Sequence, residues 1–257
     1  MTSHNITRVL ARTVRATLLT SLAMTAMVTA AHATNLVTNG SFEQTTLPGN
    51  SGIGSGFNSN ADNVTGWTTS GYNFVYTSAA DVTPANGVEL WGPANGSANG
   101  LGVSPDGGNY VAMDGAYGVG ALSQIISGLV IGQQYTVNFY FAGAQQHGFN
   151  GSTTEQFEVS FGSDHLFTQV LNNANHGFTG WQSESFTYTA SATSETLAFL
   201  AIGTPDGVPP FSLLDGVSLN AVAPTPEPGS LALLATGLFG VGGIVRSRFS
   251  KATAKKA

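Results

Sequence analysis

Asp215 is the residue whose chemistry is hardest to ignore. It lies in the run Phe211-Ser212-Leu213-Leu214-Asp215-Gly216-Val217-Ser218-Leu219. A period of two puts it on one strand face with Phe211, Leu213 and Val217. A buried carboxylate without a compensating partner is strongly unfavourable. Residues 34–223 hold thirteen of the chain's fourteen carboxylates and no Lys or Arg. Asp215 must therefore keep its proton, collect several backbone N–H bonds, or bind a cation. The remaining arrangement is a bulge at Asp215-Gly216 that leaves the carboxylate in water.

Aromatic rings are the second source of chemistry. A flat ring covers the apolar face of a sugar while nearby polar groups fix its hydroxyls. Trp91 and Tyr117 are the favoured candidates, because Gly and Pro neighbours place them near loops. Asn95 and Asp114 are the accompanying hydrogen-bonding candidates, with Gln145 a further one. Trp67, Trp181 and Tyr72 complete the aromatic set; core packing is the competing role for all of these rings.

Catalytic signatures are missing from the sequence. It has no Gly-x-Ser-x-Gly, no His-Glu-x-x-His, no phosphate-binding loop and no complete Gly-x-Gly-x-x-Gly. His147, His165 and His176 are not at paired metal-ligand spacing; His147 and His176 read as solvated loop residues. Glu155 and Glu158 would point to opposite faces of one strand, which does not suit a glycosidase pair. There is no cysteine, so disulfides, thiolate zinc sites and cysteine nucleophiles are excluded. Without Lys or Arg in residues 34–223, phosphate contacts are disfavoured, and nucleic acid is not an expected partner. The sequence predicts a protein that is not an enzyme.

All eight basic residues sit at the two ends. Arg8, Arg12 and Arg15 precede an apolar stretch over residues 16–30, and Ala31-His32-Ala33 follows. This is the pattern of an export signal read by the Sec machinery and cut before Thr34. At the other end, Pro226-Glu227-Pro228 precedes an uncharged stretch over residues 229–245 and then Arg246, Arg248 and three Lys. As a helix those 17 residues would be ~25 Å long, short of the ~30 Å of a bilayer core. Arg246 and Arg248 can snorkel to close the gap and favour the cytoplasmic side.

These residues resemble the PEP-CTERM sorting signal of Gram-negative bacteria. The resemblance implies recognition by a membrane-embedded exosortase, with Pro226, Glu227, Pro228, Arg246 and Arg248 as residues acted upon. It further implies a precursor anchored in the inner membrane, followed by release or attachment at the cell surface. The expected organisation is a signal peptide over 1–33, a β-sandwich domain over 34–223, the sorting signal over 224–251 and a cytoplasmic tail over 252–257.

The middle of the chain supplies the elements that must position the candidate site. Tyr135-Val137-Phe139-Phe141, Phe157-Val159-Phe161, Phe186-Tyr188 and Phe211-Leu213 each alternate with polar or small residues. Leu197 to Ile202 is apolar on both faces, as for a central strand. Clusters of Gly, Asn, Ser and Pro separate these runs. About 190 residues of short strands predict one antiparallel sandwich. The opening run from Asn35 to Glu43 and the closing run from Pro210 to Leu219 look like the first and last strands of galactose-binding-like jelly rolls, which include several carbohydrate-binding module families. That resemblance implies a structural calcium near the two chain ends. Its ligands would be the carboxylates of Glu43 and Asp215, with backbone carbonyls near Asn39 and Ser41. The function expected is non-catalytic association with extracellular polysaccharide. A surface protein mediating protein contacts is the alternative, and a glycan-active hydrolase the third reading.

Overall fold

The computed structural model describes residues 34–46, 51–53, 64–77, 88–92, 96–97 and 103–223. They form two antiparallel sheets. The first runs β1 (Ser51–Ile53), β3 (Asn73–Thr77), β4 (Asn109–Asp114), β12 (Pro210–Ala221), β6 (Gln134–Gln145) and β10 (Gln182–Thr189). The second runs β2 (Thr68–Thr69), β5 (Leu122–Ser127), β11 (Ser194–Thr204), β7 (Thr153–Phe161) and β8 (Asp164–Phe167), with β9 (Leu171–Asn173) also beside β7. The four alternating runs become β6, β7, β10 and β12, and the run from Leu197 to Ile202 becomes part of β11, interior to its sheet with one face buried and the other half-buried.

Val137, Phe139 and Phe141 of β6 meet Phe157, Val159 and Phe161 of β7 and Phe199 of β11 between the sheets. A second apolar cluster lies on the opposite face of the first sheet. Phe74, Tyr76, Tyr110, Phe211 and Leu213 are covered there by Val88, Leu90 and Phe178. This explains why β4 is buried at every position although a half-exposed strand would alternate.

The strand expected over residues 35–43 does not form. Asn39 and Phe42 have positive φ (53° and 56°), which takes the segment out of extended geometry. The Asn39 side chain compensates, donating to the carbonyls of Gln44 and Thr65 and accepting from the Gln44 amide. The segment still runs beside β12, through Leu36 N–H to Leu219 O and Val217 N–H to Gly40 O (2.9 Å each). Only glycine fits at position 40, since a Cβ there would lie 1.8 Å from the Val217 carbonyl oxygen.

The bulge in β12 also changes the reading of its faces. The pairing with β6 slips between Asp215 and Ser218, and Gly216 takes φ 60°. Phe211 and Leu213 belong to the outer cluster, whereas Val217 and Leu219 belong to the core between the sheets. Asp215 thus shares a face with Phe211 and Leu213 but not with Val217. The bulge is present, yet the carboxylate is fully buried rather than wet.

The same alternation buries Glu155 among Phe157, Val159 and Phe161. Thr153 donates its hydroxyl to Oε1, while Oε2 and the buried Asn173 Nδ2 have no partner among the described residues. Burial pushes the Glu155 carboxyl up to about 8, against the smaller opposing effects of Thr153 and Asn173. A raised carboxyl is a stability contribution present below its unfolded value near 4.5 and lost as pH rises through 8. With chelator present, melting should therefore fall by several degrees between pH 5 and pH 8, on the order of 5–10 °C. Glu155→Gln should reduce that slope, most clearly between pH 7 and pH 8, and melt higher than the parent at pH 8; Asp215, raised to about 7, supplies the slope that persists below pH 7. An unchanged slope in the variant would assign the effect elsewhere.

Candidate functional site

One end of the sandwich carries an aromatic cleft of about 300 Å³, lined by Tyr72, Tyr117, Gln146, Phe149, Asp206, Gly207 and Pro209. Four loops meet there, and backbone bonds tie them together. Tyr72 N–H reaches Gly118 O (2.6 Å), Gly115 N–H reaches Pro210 O (3.0 Å), Gly203 N–H reaches Gly115 O (2.8 Å) and Gln146 N–H reaches Pro209 O (3.2 Å). Gly118 is necessary to this approach, because a Cβ there would come within 2.6 Å of the Tyr72 Cβ.

Asp114 shapes the loop that carries Tyr117. Its Oδ1 accepts from the amides of Ala116 (2.9 Å) and Tyr117 (3.1 Å), and its Oδ2 from Gly118 (3.0 Å). The side chain is buried and committed to the backbone. It therefore positions the site instead of facing a ligand, contrary to the sequence expectation. Tyr117, by contrast, is 66% exposed and presents its ring to the cleft. Tyr72 is held by edge packing on Phe74 (4.6 Å, 86°) and contact with Phe211 (6.4 Å). Its phenol is raised by burial, then by the nearby Asp114 charge and Tyr117.

Trp91 has a different part from the one expected. Its ring stacks on His176 (3.7 Å, 25°) and meets the edge of His147 (4.3 Å, 62°), so it is half-buried and much of it is already covered. Its indole N–H donates to Phe149 O (3.1 Å), which props the segment bearing Phe149 at the cleft. Trp91 is thus a support for the ring behind it. The two histidines are not free loop residues either: His147 Nδ1 lies 3.2 Å from Glu89 Oε2, and His176 Nε2 lies 2.7 Å from Asn150 Oδ1. Asn95 lies outside the described residues. Among the other aromatic candidates, Trp67 is core, packed on Phe42 and Phe199, and Trp181 packs on Tyr110 and Phe178. Phe149, Gln146 and Asp206 were missed in the sequence. The Gly/Pro-rich setting of each was the available signal, but nothing local says that their two loops converge with those of Tyr72 and Tyr117.

A second, more open cleft of about 820 Å³ lies beside the chain ends, lined in part by Asn39, Ser41, Glu43, Asp106 and Glu184. Asp215 sits beneath it. Ser104 donates its hydroxyl to Oδ2, and Gly216 N–H donates to Oδ1 (2.7 Å). Burial pushes the Asp215 carboxyl up to about 7; the two hydrogen bonds oppose this, and Asp106 and Glu43 add to it. Asn39 O already accepts from Trp67 Nε1 (3.0 Å) and Phe42 N–H (3.2 Å), and Glu43 Oε1 accepts from Asn109 N–H (2.6 Å). Among the described residues no group of three or more His, Asp or Glu is arranged to hold a metal ion.

With this geometry in place, comparison with known proteins adds a sorting address and a fold likeness. Residues 224–248 match the PEP-CTERM protein-sorting motif, which implies an exported protein processed by exosortase and a membrane-spanning segment. Pro226, Glu227, Pro228, Arg246 and Arg248 fall in that match and lie outside the described residues, as does the signal peptide expected over 1–33. Among the described residues no helix is long and apolar enough to cross a membrane. No curated protein matches the sequence. The two-sheet sandwich is similar to solved carbohydrate-binding modules. One is TmCBM61 in complex with β-1,4-galactotriose (15% identity, TM-score 0.40, covering 74% of this chain and 100% of that one). Another is a CBM4 module (16%, 0.34, 72% and 99%). A third is the CBM22-1 xylan-binding domain from Paenibacillus barcinonensis Xyn10C (14%, 0.36, 75% and 97%).

The three amide bonds to Asp114 are part-buried and converge on one fully buried carboxyl group. Asp114→Ala should cost about 2–4 kcal/mol of stability and speed hydrogen exchange at the amides of Ala116, Tyr117 and Gly118. Protection unchanged at those three amides would show that the loop holds itself.

Proposed function

We propose that the chain is an exported binding protein whose sandwich associates with extracellular polysaccharide and performs no catalysis. In this reading a signal peptide and a C-terminal membrane helix are both removed, the latter by exosortase, and the mature jelly-roll-like domain works at or beyond the cell surface. The observation that supports it is the cleft of Tyr72, Tyr117 and Phe149, with Gln146 and Asp206 at hand. Exposed rings beside amide and carboxylate groups are the chemistry of sugar recognition, where stacking supplies apolar contact and the polar groups select hydroxyls. Affinity electrophoresis through gels containing polysaccharides from the native matrix tests it. The parent protein should be retarded. Tyr117→Ala and Phe149→Ala should each weaken retardation about tenfold, with melting changed far less for Tyr117→Ala, whose ring is mostly exposed. Undiminished retardation of both variants would remove the cleft from the binding surface.

A structural Ca²⁺ is a separate part of the proposal. Support comes from Asp106 and Glu43, whose charges both bear on Asp215, in a domain without any Lys or Arg. Glu43 and Asp106 on the cleft rim are the carboxylates best placed to reach an ion. Adding chelator should lower the melting temperature by several degrees, and Glu43→Gln should erase the difference. Identical melting with and without chelator would discard the ion.

A further inference from the structure

We infer that the aromatic cleft selects glycans carrying protonated amino groups over neutral or acidic ones. This rests on the polysaccharide-binding reading and narrows it to a substrate class. Three aromatic side chains, Tyr72, Tyr117 and Phe149, share the cleft with one carboxylate, Asp206, and with no cationic group. Ring faces carry negative electrostatic potential and attract an ammonium group, as does a carboxylate. The two effects act in the same sense only for a cation. A neutral sugar would gain the stacking alone, and a uronate would meet Asp206 as a like charge.

The surroundings extend the argument beyond the lining residues. Asp114 lies directly behind the Tyr117 loop, and its negative charge is felt at Tyr72. No Lys or Arg exists anywhere in residues 34–223 to offset that field. The histidines near this end face Glu89 and Asn150 around Trp91 and do not line the cleft. The volume, about 300 Å³, is at the small end for ligand pockets and suits one or two sugar units instead of a long groove. The loops are fixed by the interloop backbone bonds and by Asp114, so the rings are preorganised and little ordering cost opposes binding.

The test uses the full mature protein in calorimetric titrations with four probes at pH 6. They are a deacetylated chitin oligosaccharide, its fully N-acetylated counterpart, an oligogalacturonate and a lysine-containing peptide of equal charge. The deacetylated sugar should bind at least about tenfold more tightly than the acetylated one, with no binding of the oligogalacturonate. Its advantage over the acetylated sugar should shrink at pH 8.5, where the amines lose their protons, and in Asp206→Asn, which removes the carboxylate that favours the ammonium group. Equal or better binding of the acetylated sugar would overturn the amine preference while leaving polysaccharide binding intact. Absence of binding to every sugar in this set and to native-matrix polysaccharide would overturn both. Tighter binding of the peptide than of any sugar would overturn the assignment to glycans.

Discussion

The structure depends on one constraint: the folded domain has no fixed positive charge with which to neutralise its carboxylates. Every acidic side chain that leaves water must be satisfied by N–H and O–H donors or keep its proton. Three solutions coexist. Asp114 recruits three loop amides. Glu195 does the same with Ser191 and Ala192, accepting from both amides and from the Ser191 hydroxyl. Glu155 and Asp215 have too few donors, and burial raises both. Ion pairing, the usual remedy, is limited among the described residues to His147 with Glu89 and His165 with Glu158.

This constraint links fold to site. The carboxylate of Asp114 at the end of β4 would be a liability if it pointed nowhere. Because the chain turns sharply at Gly115, the loop amides fold back onto it, and Tyr117 is carried outward on the result. Tyr72 is pinned from below by the second apolar cluster, and Phe149 is held from the side through Trp91. An exposed ring on a mobile loop would lose affinity to ordering entropy. Here the ordering is done during folding. The acidic surroundings that make Asp114 need those amides also set the electrostatic character of the cleft.

Much of the fold was legible in the sequence because it depends on local periodicity. The four apolar alternations became β6, β7, β10 and β12, and the run apolar on both faces became part of β11. Each has a buried face that a one-residue slip would expose. The opening segment over 35–43 was misread as a strand because its side-chain pattern fits one; the positive φ at Asn39 and Phe42 and the compensating bonds of the Asn39 amide are tertiary facts. The faces of β12 were misread for a related reason, since a bulge resets the period at Gly216. Of the site, Tyr117 was recognisable from its loop setting. The stacking of Trp91 with His147 and His176 was not legible, because it joins positions more than fifty residues apart. Asp206 and Phe149 have a Gly/Pro-rich setting as their one local mark, which does not say that their loops converge. The sorting motif was legible over the matched residues 224–248, as a linear signal needs no folded context.

The central claim is that the four-loop aromatic end, and not the larger acidic cleft at the chain ends, is where the domain meets its ligand. Amide chemical-shift mapping of the isotope-labelled protein, titrated with oligosaccharides released from the native matrix, reads this directly. The account predicts perturbations concentrated at Tyr72, Ala116 to Gly118, Gln146 to Phe149 and Asp206 to Gly207. Perturbations confined to Ser41, Glu43, Asp106 and Ser183 to Ser185 would contradict it.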